Sequence, residues 1–321
     1  MRIASSAAAL ALGLALSATA MAQSWPQRTV KFVVPFAAGG ATDVSARVLG
    51  ERLSDMWKQP VIIENRVGAG GSIGAAEAAR ANPDGYTLFF PSGSVMTANQ
   101  HIYRNMKYDP DKDFVPVTKV VSAPQVLVVN AASPFKTVKD LIDAAKAKPS
   151  TLTFGHAGTG SQTHLAGESF NDAAKIDVIS VPYKGDPPAL NDLLGGSLSY
   201  CVTTLSSAIP HVQAGRLRAL GVTSAEPAEQ LPGVPPIAAT LPGFDNKGWF
   251  GIVAPAGTPN EIVQKVYRDT KKALDDPAFR ARFAAMGLTT IGDTPEEMAR
   301  AMKVESERYA AVAKARKLKV N

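Results

Sequence analysis

Two stretches of the chain place glycines and small hydroxyl residues where a strand would turn into a helix. The first is Pro35-Phe36-Ala37-Ala38-Gly39-Gly40-Ala41-Thr42-Asp43. The second is Gly155-His156-Ala157-Gly158-Thr159-Gly160-Ser161-Gln162-Thr163-His164. The chemistry they offer is anion binding. The first N–H groups of a helix lack intrahelical acceptors and carry partial positive charge, and glycine permits close backbone approach. For the first stretch, spacing alone leaves two readings open. The N–H groups of Gly39 to Thr42 hold a ligand carboxylate, or this is an ordinary turn capped by Thr42 or Asp43. Asp43 falls in the first helical turn, where it complements the dipole, and is read as structural rather than catalytic. The second stretch nearly fits a phosphate loop, since Gly155 and Gly160 have the right spacing, but Ser161 stands where the lysine is required. A helix N-terminus suited to a carboxylate is the better reading. His164 is expected to pack or bond locally rather than act as a base.

Other candidate chemistry is weaker. Gly68-Ala69-Gly70-Gly71-Ser72-Ile73-Gly74 lacks the third glycine of a dinucleotide fingerprint, because Ile73 occupies it. Residues 70–74 match G-x-S-x-G, the nucleophile elbow of hydrolases. An elbow needs its strand to run straight into the turn, and Asn65-Arg66-Val67-Gly68-Ala69 intervenes. A secreted serine hydrolase using Ser72 is the alternative function. Asp109, Asp111 and Asp113 alternate like calcium ligands, but Phe114 stands where the loop needs glycine, so a solvated turn is expected. His101, His156, His164 and His211 show no zinc-site spacing, and Cys201 is the only cysteine. Cys201 is expected to be a small buried hydrophobe. No metal and no cofactor is expected. Trp249 reads either as a hinge anchor or as core.

These residues need a scaffold, and the chain's organisation indicates one. Arg2, an apolar run from Ala7 to Leu16 and Ala20-Met21-Ala22 have the order of a cleaved signal peptide, so export to the periplasm is expected. The apolar run is too short to span a bilayer, and no later one reaches the roughly 20 residues a membrane helix needs. Removing the leader leaves roughly 300 residues, enough for two domains. Lys and Arg number 34 against 28 Asp and Glu. That mild basic excess is scattered, apart from Lys314 to Lys319, which reads as a solvated helix end rather than a nucleic-acid patch.

Short Val- and Ile-rich strands are expected at Val30–Val34, Val61–Glu64, Thr87–Phe90, Gln125–Val129, Thr151–Phe154, Val178–Pro182, Leu198–Thr203, Leu217–Thr223 and Trp249–Ala254. Helical patterns alternate with them at Thr42–Trp57, Ser72–Arg80, Val138–Lys146, Gln162–Ala174, Pro188–Leu194, Ser206–Ala214, Asn260–Leu274 and Pro295–Arg316. This alternation predicts an α/β fold with largely parallel sheets. Val117–Val129 reads as one long extended crossing between lobes, and Trp249–Ala254 as a second. Two crossings make a hinge, and the cleft between lobes is a natural ligand site. The predicted organisation is a signal peptide at 1–22, a discontinuous first lobe at 23–123 plus 248–321, and a second lobe at 124–247.

Several further motifs occur in order: Glu64-Asn65-x-x-Gly68-Ala69-Gly70-Gly71, Pro83-Asp84-Gly85-Tyr86, Val181-Pro182-Tyr183-Lys184-Gly185, Ala214-Gly215-Arg216-Leu217-Arg218-Ala219-Leu220 and Ala254-Pro255-Ala256-Gly257-Thr258-Pro259. Together with the two glycine-rich turns, they make the whole chain after the leader resemble the Bug family. These are periplasmic solute receptors, the TctC-like binding subunits of tripartite tricarboxylate transporters. The resemblance implies a type II periplasmic-binding-protein fold whose two α/β lobes close on a small carboxylate. It also implies a non-enzymatic role, transporter subunits as partners and a monomer. The carboxylate would be held by backbone N–H groups, hydroxyls and water rather than by an arginine clamp. Carried onto this sequence, the first-lobe contacts fall on Phe36, Ala38, Gly39, Gly40, Ala41 and Thr42, and on Ser92, Gly93 and Ser94. The second-lobe contacts fall on Gly160, Ser161, Gln162 and Thr163, on Tyr183, Lys184 and Gly185, and on Thr203. Many relatives carry Asp near Thr203, where it can pair with a ligand amine. Threonine cannot, so the resemblance implies a ligand without a required amine.

Overall fold

The computed structural model describes residues 25–319. The expected signal peptide lies outside the described residues. The first lobe is built on a βαβ unit. Strand β1 (Val30–Val34) runs through helix α1 (Ala41–Trp57) to β2 (Val61–Asn65), and β1 pairs in parallel with β2 and with β3 (Thr87–Phe89). Helix α1 turns Leu49, Leu53 and its small residues inward. Val44 and Val48 are only half-buried, while Ser45, Ala46 and Gly50 are buried. The reason is close packing: a Cβ on Gly50 would lie 3.2 Å from the Val61 side chain, so the helix turns its small residues to the sheet. After β2, α2 (Ser72–Ala79) leads to β3, and α3 (Gly93–Thr97) and α4 (Asn99–Ile102) follow.

Strand β4 (Phe114–Asn130) then runs for 17 residues, about 55 Å of extended chain. Its first part, Phe114 to Pro124, pairs antiparallel with β9 (Lys247–Pro255). Its last part pairs with β7 (Tyr200–Thr204) from Gln125 and with β8 (Leu217–Val222) from Val126. One strand thus belongs to both lobes, and the register shifts beside Pro116, which cannot donate to a ladder. The second lobe repeats the parallel arrangement. Helix α5 (Val138–Ala147) precedes β5 (Thr153–His156). Helix α6 (Gln162–Ala174) then carries the chain to β6 (Ile179–Pro182), parallel to β5, with β7 on the other side. Helices α7 (Asp186–Leu194) and α8 (Leu205–Gln213) flank β7.

The chain returns along β9 to the first lobe and ends in α9 (Asn260–Asp275), α10 (Pro277–Ala285), β10 (Thr289–Thr290) and α11 (Pro295–Ala315). Each lobe has its own core. Phe32, Leu49, Leu53, Phe250 and Phe283 centre the first, and Leu127, Phe154, Phe170, Tyr200 and Val202 the second. Both extended crossings are present as expected. Helices α3, α4 and α10 were not anticipated. The first two are single turns without a readable period. The third announces itself only at its start, where Asp276 caps the N–H groups of Ala278 and Phe279 and Pro277 takes the first position. No helix among the described residues is long and apolar enough to cross a membrane.

Candidate ligand-binding site

The two glycine-rich turns meet. Phe36, Gly40, Ala41, Thr42 and Ser92 from the first lobe face Ala157, Ser161, Gln162, Thr163, Asp186 and Thr204 from the second, with Phe250 of β9 completing the wall. The cavity they enclose has an empty volume of about 300 Å³. Surface grooves of about 1070 Å³ exist elsewhere, but neither gathers the ends of β1 and β5.

The N-terminus of α1 has no side-chain cap. A carboxylate is the natural complement of such an end. The N–H groups of Ala41 and Thr42, which line the cavity, have no acceptor among the described residues. The Gly39 N–H donates to Asp43 Oδ2 at 2.8 Å and the Gly40 N–H to the Ala37 carbonyl at 3.2 Å, so both are already used. Gly39 does not line the cavity. Asp43 has the structural role expected of it. Burial pushes its pKa up, but the Arg47 hydrogen bond, the Gly39 N–H and the Asn65 amide outweigh that and hold it below the usual range.

The N-terminus of α6 is capped from within. Ser161 Oγ accepts from the His164 N–H at 3.2 Å and lies 3.1 Å from Thr163 Oγ1, which accepts from the Ala157 N–H at 2.9 Å. Gln162 Nε2 donates to the Trp249 carbonyl at 2.9 Å, tying this lobe to β9. His164 packs as expected. Its Nδ1 accepts from the Gly160 N–H at 3.1 Å, its ring stacks on Phe154, and burial lowers its pKa to about 4. His156 is also pushed well down, by burial and by His164, whose ring centroid is 4.4 Å away.

The remaining expected residues lie around the cavity. Lys184 is exposed, and its carbonyl accepts from the Ala37 N–H at 3.1 Å, bridging the lobes. Gly185 lies against Ala37, where a Cβ would come within 3.0 Å of its methyl. Tyr183 points away, donating to Asp192 Oδ2 at 2.5 Å. Gly160 fits against Asn99 and Tyr103. Gly93 and Ser94 lie in α3 behind Ser92, with Ser94 Oγ 3.1 Å from Ser92 Oγ and Gly93 packed on the Trp249 ring. Ala38 does not line the cavity. Thr203 is buried, its hydroxyl beside the Asp186 carboxylate.

Asp186, Thr204, Ala157 and Phe250 were not anticipated. The helical pattern begins at Pro188, yet α7 starts at Asp186, because proline is tolerated in a first turn where its missing N–H costs nothing. The Gly-Asp-Pro-Pro order was the available signal.

The other candidates resolve simply. Ser72 Oγ accepts from the Asn99 amide at 3.1 Å, an amide where a nucleophile would need an imidazole. Asp109 Oδ1 accepts from the N–H groups of Asp111 and Lys112, closing a turn. Cys201 is buried. Trp249 is buried too, its indole N–H donating to Glu305 Oε2 at 2.8 Å. No group of residues that could hold a metal ion occurs among the described residues.

Two α/β lobes joined by extended strands, with helix ends from both lobes on one cavity, define a two-lobe solute-binding protein. The chain belongs to the tripartite tricarboxylate transporter family of receptors, whose model matches residues 45–318. Solved structures agree. The periplasmic binding protein BugD superposes with a TM-score of 0.88 at 32% identity, over 92% of this chain and 100% of that one. Rpa4515 of R. palustris, solved with adipate, gives 0.89 at 36% identity, over 91% and 98%. MatC (Rpa3494) from Rhodopseudomonas palustris, with bound malate, gives 0.85 at 33% identity, over 90% and 99%. These are binding proteins, and the family is one of receptors rather than enzymes. The hydrolase alternative resting on Ser72 falls.

Proposed function

We propose that this receptor is exported to the periplasm, captures a small organic carboxylate between its lobes and delivers it to the membrane subunits of a tripartite tricarboxylate-type transporter. The observation that carries the reading is the convergence of the α1 and α6 N-termini on one cavity, lined by no basic residue among those described. Helix-end dipoles hold an anion without a fixed counter-charge, which favours capture followed by release. The adipate and malate in the two relatives are carboxylates of suitable size. The lobes are taken as 23–123 plus 248–321 and 124–247, working as a monomer.

The test is a thermal-shift screen of carboxylates against their methyl esters. A ligand at a hundredfold excess over Kd stabilises by about 2.7 kcal/mol. Acids should stabilise and neutral esters should not. Equal stabilisation by an ester, or a cation as the tightest ligand, overturns the carboxylate reading. Export is tested separately: the periplasmic protein should begin at or near Gln23, and a retained Met1 argues against it.

A further inference from the structure

The cavity contains one feature that carboxylate capture does not use. Asp186, in the first turn of α7, is buried at 5% exposure and lines the cavity. Its Oδ2 accepts from the Thr204 N–H at 3.3 Å and from Ser207 Oγ at 3.0 Å. Its Oδ1 makes no hydrogen bond among the described residues, with the Thr203 hydroxyl as its neighbour. No basic residue lines the cavity, and Asp186 makes no ion pair among the described residues. Gln162 also lines the cavity. Its amide is oriented by the bond to Trp249, which leaves Oε1 as a second buried acceptor without a partner. The helix end stabilises Oδ2 well enough for a structural cap. A serine or asparagine would accept the same donors without burying a charge, so capping alone does not account for a carboxylate here.

A buried carboxylate beside an anion-binding helix end faces repulsion from an amine-free acid and attraction from a zwitterion. We infer that Asp186 is a specificity residue that pairs with a ligand ammonium group, so that this receptor prefers amino acids to the corresponding amine-free carboxylates. An ammonium has three donors and the strongest charge complementarity to a lone carboxylate oxygen. Thr203, which cannot take this role, stands beside the residue that does. The inference rests on the carboxylate reading and narrows it.

Carbon-matched series test it by titration calorimetry on the purified protein. Each contains an amino acid with its amine-free and hydroxy counterparts: L-aspartate, succinate and malate; L-glutamate, glutarate and 2-hydroxyglutarate; L-leucine, 4-methylpentanoate and 2-hydroxy-4-methylpentanoate. In the tightest-binding series the amino acid should bind at least about tenfold more tightly than either counterpart. Asp186→Asn, which keeps size and the capping acceptor, should abolish that preference, weakening the amino acid and tightening the amine-free acid, whose repulsion it removes. A tighter amine-free or hydroxy acid, or a preference that survives Asp186→Asn, overturns the inference and leaves the carboxylate reading intact. If no carboxylate of any series binds, both fall. The wild-type comparison decides even if the variant does not fold.

Discussion

The Tyr103 hydroxyl donates to the Thr159 carbonyl at 2.6 Å, and a Cβ on Gly70 would lie 1.9 Å from that same oxygen. Tyr103 and Gly70 belong to the first lobe, Thr159 to the second. Gly70 also lies against Gly158, where a Cβ would come within 3.5 Å of the Gly70 Cα, and it takes φ 58°. The loop that resembled a nucleotide or hydrolase motif is therefore a surface against which the other lobe packs. Glycine is needed there for contact and for backbone conformation together.

Gly70→Ala should hold the lobes apart. We expect ligand affinity to fall by more than about tenfold, with loss of the ligand-induced decrease in radius of gyration in X-ray scattering. Retained affinity and compaction would show that this contact does not limit closure.

At the rim of the cavity, a Cβ on Gly40 would stand 3.2 Å from the Ala37 carbonyl oxygen and 3.4 Å from Pro187. Gly40→Val adds two more carbons there and should obstruct both ligand approach and lobe contact. Ser161→Ala should cost about 1 kcal/mol of stability through the lost cap. It should also cost about 1.5–3 kcal/mol of binding if the hydroxyl donates to the ligand carboxylate. Calorimetry combined with urea unfolding separates the two, and a loss of stability alone would remove Ser161 from the contact set.

Alternation of strands and helices made the α/β architecture legible, because each β-branched run and each capped helix carries its own local signal. The two crossings were legible as long extended apolar runs. The anion-binding ends of α1 and α6 were visible because glycine and hydroxyl residues at a strand-to-helix turn have a direct physical meaning. Three things were not. Which N–H groups remain free depends on the Asp43 side chain folding back onto Gly39. The side on which Tyr183 lies depends on Asp192, nine residues away. The burial of Asp186 follows from how α7 packs against β7 and α8, and Gly-Asp-Pro-Pro alone looks like a surface turn.

Ser72→Ala provides the control. Ser72 sits at the start of α2 on the outer side of the glycine loop, and its partner is the Asn99 amide. Ligand affinity should change by less than about threefold. No esterase activity should be gained or lost. Ester hydrolysis abolished by this change alone would restore the hydrolase reading.

Two buried imidazoles make the stability of the fold depend on pH. His164 is held to about 4 by burial, against an ordinary value of 6.5, and His156 beside it is lowered as well. Between these values the unfolded chain binds a proton that the folded imidazole refuses, so stability rises with pH across the window. The loss begins as pH falls below about 6.5 and is complete near 4, reaching about 3 kcal/mol for His164 alone. Glu168 Oε1 lies 3.8 Å from His164 Nε2 but is paired with Arg316 at 2.9 Å, so it offers no free counter-charge to rescue the cation. Asp186 and Glu305 act in the opposite direction, because burial raises both and protonation relieves them. A variant comparison removes their contribution. His164→Asn keeps an acceptor near the Gly160 N–H and cannot titrate. Its urea midpoint should fall less than that of the wild type between pH 7.5 and 4.5, whatever its stability at pH 7.5. Identical falls in the two proteins would mean that the folded His164 takes up its proton as readily as the unfolded one.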